Sequence, residues 1–315
     1  MSDLIEEAGH DSSALTNVKA LRLPRAIVPP ITIMEADMAY KTILAIVGTS
    51  TSDQFLRQAA ELSYSAGAHL SVLAVVLAAP PPVGDYAAMI SDAWLEEQQE
   101  DRRRLDEKVT NARDILSTSA GSFEVGGLYC EATWAHGEIG TRAMYADLLL
   151  MGDAEIIGSH LRRQAIDGAL FDARRPVLLV PKTRPVTLSP RKVILAWDSG
   201  PDAASAAREA LELMKGAERV NVVMVDPNAD QDRQGEDPGA DIAAYLARQG
   251  IKVMVDRFAS GDRTIAETLR QRASELSADL LVMGAYGHSR LRERIFGGVT
   301  QSMIDTATVP VLLAR

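Results

Sequence analysis

Short apolar runs alternate with amphipathic or charged stretches along the chain from residue 40 onward. In the first part of the chain this pattern predicts strands at 42–47, 70–77, 123–131, 147–152 and 177–180, and helices at 53–66, 86–117 and 138–145. Strands that alternate with helices are typical of βαβ units, which form a parallel sheet covered by helices.

The same alternation starts again after a stretch with two prolines at 184–190. It predicts strands at 192–197, 220–225, 253–259, 280–283 and 311–314, and helices at 202–215, 239–249, 262–277 and 299–307. Residues 1–39 show no periodicity, and we expect a mostly flexible tail there. The sequence therefore predicts two domains, at 40–183 and 191–315, joined by a linker at 184–190.

The two predicted domains repeat each other. Residues 41–45 match 192–196, residues 146–152 match 278–284, and residues 176–180 match 310–314. Three matches in the same order, each at a predicted strand, indicate a duplication. We therefore predict an α/β fold with two tandem open five-stranded parallel sheets flanked by helices. The last strand of each unit is an apolar edge candidate, so the two could pair within one chain, and a further homodimer is left open.

Four glycines lie between the predicted strand at 280–283 and the predicted helix at 299–307. They are Gly284, Gly287, Gly297 and Gly298. Glycine lets the backbone approach a ligand closely, and a helix N-terminus offers unpaired amides and a positive dipole end. This arrangement suits an anion such as a phosphate. The alternative is a tight strand-to-helix turn with no ligand.

The first domain lacks most of this pattern. Its first strand ends in Val47 where we align Asp198, and after its fourth strand only Gly152 matches a glycine of the second domain. We therefore expect any ligand in the second domain, with the first as a pseudo-symmetric partner.

Composition narrows the class of protein. The net charge of −10 argues against nonspecific nucleic-acid binding, and no apolar run reaches the length of a membrane span. The single cysteine, Cys130, excludes an internal disulfide and a cysteine-based zinc site. Because the N-terminus is acidic and unlike a secretory signal, we expect a cytoplasmic protein.

With these motifs, residues 40–315 resemble the universal stress protein family in its tandem two-domain form. The family's nucleotide motif is matched by the four glycines, with Asp198 closing the first strand of the second domain. The resemblance implies a Rossmann-like fold of the adenine-nucleotide alpha-hydrolase type. It also implies ATP, with or without Mg²⁺, at the carboxyl ends of the strands, where open α/β sheets bind ligands.

The resemblance also assigns roles to single residues. Asp198 corresponds to an acidic residue near the adenine and ribose, although it is equally interpreted as a helix cap or turn residue. Val225 corresponds to a neighbour of the adenine, or belongs simply to the sheet core. Met283 and Gly284 correspond to backbone contacts.

The remaining assignments concern the phosphates. Gly287, Gly297 and Gly298 correspond to the phosphate loop, and Val299 and Thr300 to the amides at the helix start. Ser289 and Arg290 lie near the glycines and are candidate phosphate donors, or else belong to a solvated turn. Many ATP-binding members have serine or threonine at the position of Gly298, so this chain lacks one hydroxyl donor there.

Three functions remain open from the sequence. The first is a nucleotide-binding stress or signalling protein with slow or no hydrolysis. The second is an ATPase or nucleotidyl-transfer enzyme, which the lack of a Gly-Lys-Ser/Thr phosphate-binding motif and of a placed acidic pair disfavours. The third is a ligand-free interaction scaffold.

Overall fold

The computed structural model describes residues 40–80, 92–119, 121–152, 159–182, 184–227, 237–285 and 298–315. The tail predicted at 1–39 lies outside the described residues. We refer to residues 40–183 as the N-terminal half and to 191–315 as the C-terminal half.

Five strands and four α-helices are described in the N-terminal half. In chain order they are β1 Thr42–Val47, α1 Asp53–Ser65, β2 His69–Ala78, α2 Asp92–Ser117, β3 Phe123–Glu131, α3 Ala132–Ala143, β4 Leu148–Gly152, α4 Ser159–Asp167 and β5 Val177–Val180. A π-helical segment, Gly168–Ala173, follows α4 directly.

Five strands and five α-helices are described in the C-terminal half. They are β6 Lys192–Ala196, α5 Pro201–Glu209, α6 Leu211–Lys215, β7 Arg219–Val225, α7 Ala240–Arg248, β8 Val253–Phe258, α8 Ile265–Glu275, β9 Leu280–Gly284, α9 Gly298–Asp305 and β10 Val311–Ala314.

All ten strands form one sheet, in the order β3-β2-β1-β4-β5-β10-β9-β6-β7-β8. The strands within each half are parallel, and β5 and β10 pair antiparallel, with Leu178 opposite Leu312. Every residue of β5 and β10 is buried. The predicted α/β fold class is confirmed. The pairing that the sequence left open joins the two five-stranded units into one continuous sheet, because each last strand supplies the backbone partners that the other would lack.

The helices cover both faces of this sheet. One core lies between the sheet and α1, α2, α5, α6 and α7, and the other lies between the sheet and α3, α4, α8 and α9. Among the described helices, none has both the length and the apolar character that a bilayer crossing needs.

Two carboxylates show how the halves correspond. Oδ2 of Asp147 accepts hydrogen bonds from the backbone amides of Lys41 and Thr42, at 2.8 and 2.9 Å. Oδ2 of Asp279 accepts from the amides of Arg191 and Lys192, both at 2.9 Å. Each aspartate therefore fixes the start of the first strand of its half.

This equivalence corrects the alignment made from the sequence. Asp147 and Asp279 are equivalent, so Thr42 is equivalent to Lys192. The strand registers agree with this assignment, because Thr42 pairs with His69 at the start of β2 and Lys192 pairs with Arg219 at the start of β7. Matching the two lysines shifts the first strand by one residue, which would exchange its two faces. The residue equivalent to Asp198 is therefore Gly48 and not Val47.

Two helices also differ from the prediction. We predicted a helix at 138–145 that is about two turns shorter than its counterpart, but α3 has 12 residues and α8 has 11. The start of α3 was missed because its N-cap residue, Glu131, makes no side-chain capping bond. The helix predicted at 202–215 is interrupted at Ala210, and the hydroxyl of Tyr40 donates to the carbonyl of Glu209 there, at 3.2 Å.

Candidate functional site

The candidate site lies at the carboxyl ends of β6, β7 and β9. In the strand order, β6 lies between β7 and β9. The chain therefore continues from β6 to β7 on one side, and later forms β9 on the other side of β6. Open α/β sheets bind ligands at such switch points, because the two connections diverge and leave a crevice.

The registers bring three of the connecting segments together. Ala196 pairs with Val223, and Leu195 pairs with Val282. Continuing these registers to Asp198 places it level with Val225 on one side and with Ala285 on the other. Neighbouring strands lie about 4.8 Å apart, so the sheet brings Asp198 and Val225 to one edge.

Asp198 forms a tight turn at this edge. Its side chain is exposed, and Oδ1 accepts a hydrogen bond from the amide of Gly200 at 2.8 Å. This is the turn role that the sequence offered as the alternative to ligand binding. The two roles are compatible, since an ionised carboxylate has about four acceptor positions.

Ser199 and Asp226 were not predicted from the sequence. Both have a positive φ: Ser199, three residues after β6, has a φ of 61°, and Asp226, directly after β7, has a φ of 50°. A side-chain-bearing residue in this region is uncommon, and such residues concentrate at functional sites. Oδ1 of Asp226 accepts from the amide of Ser260 at 2.9 Å, and hydrogen bonds from Ser260 lower the pKa of Asp226. Asp226 could have been predicted from the sequence, because it is an acidic residue soon after a predicted strand, as Asp198 is.

The N-terminal half lacks both carboxylates. Gly48 stands at the position of Asp198, and Val76 at that of Asp226. In addition, β2 continues to Ala78 and remains paired with β3, whereas β7 ends at Val225. The edge of the sheet is therefore chemically different in the two halves.

Val225 and Met283 contribute apolar surface near this edge. Val225 is half-buried and packs on the core under α8 and α9, and Met283 is buried in the same core. The position of Val225 suits both interpretations from the sequence, as a neighbour of a flat apolar group and as part of the core.

Gly284 has a packing reason that needs no ligand. A Cβ atom at this position would lie 2.6 Å from the amide nitrogen of Ala203 and from the carbonyl carbon of Asp202. The end of β9 therefore touches the first turn of α5. The equivalent Gly152 is similarly close to a helix, with its Cβ position 2.9 Å from the ring of Phe55.

Gly298, the first residue of α9, is exposed. A Cβ atom there would meet no atom of the described residues within 4 Å. Val299 is half-buried, and Thr300 lies on the buried face of α9 with Met303 and Ile304. The first amides of a helix have no partner within it, and here they lie at the exposed end of a short helix, whereas the Thr300 side chain belongs to the packed side.

Four predicted residues lie outside the described residues: Gly287, Ser289, Arg290 and Gly297. Of the others, Asp198 and Val225 lie level at the edge, Met283 and Gly284 end β9, and Gly298, Val299 and Thr300 begin α9. In the described ranges, no group of three or more His, Cys, Asp or Glu side chains is placed to hold a metal ion.

We compared the sequence with models of protein families and with known proteins. Residues 190–315 match the model of the Universal stress protein family. Universal stress protein Slr1230 of Synechocystis sp. (strain ATCC 27184 / PCC 6803 / Kazusa) is 26% identical over 147 residues, which are 45% of this chain and 47% of the Synechocystis protein. The alignment thus spans about half the length of that relative.

Two solved structures share the fold over most of the chain. A universal stress protein from Archaeoglobus fulgidus DSM 4304 aligns with 88% of this chain and 97% of its own, with 17% identity and a TM-score of 0.60. A Pseudomonas aeruginosa UCBPP-PA14 protein described as a universal stress protein aligns with 88% and 93%, with 16% identity and a TM-score of 0.50. At these sequence identities the two structures support the assignment of the fold alone. The match to the family is thus carried by residues 190–315, and the two solved structures extend the shared fold over most of the chain.

Proposed function

We propose that this protein is a stress or signalling protein that binds an adenine nucleotide, ATP, in its C-terminal half, with the N-terminal half as a nucleotide-free partner. The observation that carries the proposal is the turn at Asp198 and Ser199. It places an exposed carboxylate and a residue with positive φ at the switch point of the sheet, and the N-terminal half has glycine in place of the aspartate.

The described residues fit the parts of a nucleotide. The half-buried side chain of Val225 offers an apolar surface for the base, and the carboxylate of Asp198 can accept a ribose hydroxyl. The open first turn of α9 offers amides and a positive dipole end to phosphate. Because Asp198 and Asp226 would repel phosphate, we place the base and ribose, and not the phosphates, at the ends of β6 and β7.

The proposed role is binding with slow or no hydrolysis. The first turn of α9 can hold an anion, but a hydrolase also needs a group that positions the attacking water. Mg²⁺ would arrive with the phosphates of the nucleotide. The cytoplasmic location and a homodimer stay predictions from the sequence.

A thermal-shift titration tests the proposal. A ligand at 100 times its dissociation constant stabilises the native state by about 2.7 kcal/mol, so ATP with magnesium should raise the melting temperature clearly. No shift at millimolar ATP would sink the proposal and favour the ligand-free scaffold. The Gly200–Asp198 bond and the packing of Gly284 favour that second candidate, since they account for two of the predicted residues without a ligand.

Two substitutions at Asp198 separate its two roles. In Asp198→Asn the amide oxygen still accepts from Gly200, but the remaining NH₂ group cannot accept a ribose hydroxyl. We expect this variant to bind ATP about 10-fold more weakly in calorimetric titration, with unchanged stability, because a hydrogen bond to a charged group contributes about 1.5–3 kcal/mol. Asp198→Ala should show the same loss of affinity and also lose about 1 kcal/mol of stability. Wild-type affinity in the Asn variant would leave Asp198 with the turn role alone.

A gain of affinity is expected at Gly298. No atom of the described residues lies within 4 Å of the Cβ position, so Gly298→Ser should fold normally and add a hydroxyl to the first turn of α9. A hydrogen bond from that hydroxyl to a phosphate is expected to tighten ATP binding by up to about 10-fold. Gly298→Ala is the matched control, because it adds the Cβ atom without the hydroxyl. Equal affinity in the Ser and Ala variants would show that this residue does not face the phosphates.

A further inference from the structure

The helix that begins at the proposed phosphate end is short. α9 has eight residues, or about two turns, and a helix of that length is marginal without tertiary contacts. Its first residue, Gly298, is exposed. Contacts elsewhere on α9 therefore help to set the position of the first-turn amides.

Two arginines bind the other end of α9. Within the C-terminal half, Nη1 of Arg270 on α8 lies 3.0 Å from Oγ of Ser302 and 2.7 Å from Oγ1 of Thr306. It also lies 3.4 Å from the carbonyl oxygen of Ser302. The last carbonyls of a helix have no partner within it, so a cation there satisfies both the hydrogen bond and the dipole.

The second arginine comes from the N-terminal half. Nη1 of Arg162 on α4 donates to the carbonyl oxygen of Ile304 at 2.8 Å and lies 3.7 Å from Oδ1 of Asp305. Arg162 is 8% exposed, which is unusual for a charged side chain. A buried guanidinium is tolerated where it is well paired, so this contact holds α9 and α4 together.

We propose that the N-terminal half acts on the nucleotide site through Arg162, a positioning residue that holds α9 at its C-terminus and so fixes the amides at its N-terminus. The inference rests on the proposed function. It gives the nucleotide-free half a defined role: a shift of α4 moves the carbonyl end of α9, and the two-turn helix transmits that shift to the phosphate end.

The neighbouring Arg163 provides a matched control. It lies on the same helix but is 47% exposed, and Nε is 3.9 Å from Oδ2 of Asp167, one turn along α4. Arg162→Ala and Arg163→Ala thus remove the same side chain at adjacent positions, and among the described contacts the bond to Ile304 on α9 belongs to Arg162. Arg162→Lys keeps one charged donor and serves as the conservative variant.

The first measurement needs no nucleotide. In the full chain, hydrogen exchange of the α9 amides should become about 10-fold faster in Arg162→Ala, relative to α7 in the same sample, because a hydrogen bond from a charged donor is lost. Arg163→Ala should leave that ratio unchanged, and Arg162→Lys should lie between. If Arg162→Ala does not fold, the Lys variant carries the comparison. An unchanged ratio for α9 in the folded variants would overturn the proposal.

The second measurement is ATP affinity by calorimetry. We expect Arg162→Ala to bind about 10-fold more weakly than Arg163→Ala, with partial recovery in the Lys variant. Faster exchange in α9 with unchanged affinity would also overturn the proposal, since the helix would then be held but not coupled to the site. Failure of the wild type to bind ATP would instead sink the proposed function, and this inference with it, so the two failures are distinguishable.

Discussion

Replacement of Gly284 by alanine is expected to lower the free energy of unfolding by about 2–3 kcal/mol. The added Cβ would lie 2.6 Å from two backbone atoms in the first turn of α5, the amide nitrogen of Ala203 and the carbonyl carbon of Asp202. Neither atom belongs to a flexible side chain, so the end of β9 or the helix must move. Urea unfolding of the two proteins measures the difference.

Two other glycines provide the controls. Gly298→Ala adds a Cβ that would meet no described atom within 4 Å and should change the free energy of unfolding by less than about 0.5 kcal/mol. Gly152→Ala meets the ring of Phe55, which can rotate, so its cost should be smaller than that at Gly284. If Gly284→Ala were as stable as the wild type, β9 and α5 would not be in the contact described, and the glycine would have to be explained by a ligand.

Gly168→Ala is expected to destabilise the N-terminal half by about 3 kcal/mol or more. A Cβ at this position would collide with the carbonyl oxygen of His136 and would lie 3.0 Å from the amide nitrogen of Gly140. On the other side, a Cβ at Gly140 would lie 2.8 Å from Cβ of Asp172. The π-helical segment and α3 therefore approach each other backbone to backbone, which only glycine allows.

Gly137 is the matched control for this contact, because it lies on α3 and its Cβ would meet no atom within 4 Å in the described part of the chain. Gly137→Ala should raise the free energy of unfolding by about 0.5–1 kcal/mol, through the higher helix propensity of alanine. Thermal or urea unfolding with a circular dichroism readout measures both variants. Similar stabilities for Gly168→Ala and Gly137→Ala would contradict the close approach of the two helices.

The periodicity of the sequence predicted the strands well. For β1 and β3 the predicted bounds are those of the structure, because β1 is an apolar run that ends before Gly48 and β3 begins directly after Gly121 and Ser122. The internal repeat also predicted the five-stranded unit. What periodicity could not supply is the equivalence of residues between the halves. Matching Lys41 with Lys192 looked natural, but the hydrogen bonds to Asp147 and Asp279 show a one-residue shift.

Only part of the geometry of the candidate site could be predicted from the sequence, for a similar reason. Asp198 could be found because a carboxylate after a buried strand is visible in the sequence. Ser199 could not be found in this way, because serine rarely has a positive φ and its presence in a sequence therefore does not predict one. The packing of Gly284 on α5 and the bond between Arg162 and Ile304 join residues far apart in the chain. Such contacts depend on how the sheet is assembled, and local pattern does not encode them.

The pairing of β5 with β10 has a consequence for synthesis on the ribosome. Leu179 pairs with Val311, which is 132 positions later (311 − 179), and β10 is the last of the ten strands to be made. At a translation rate of about 5–20 residues per second, the apolar edge of β5 waits roughly 7–26 s for its partner. During that interval the nascent N-terminal half presents an open strand edge of the kind that chaperones protect.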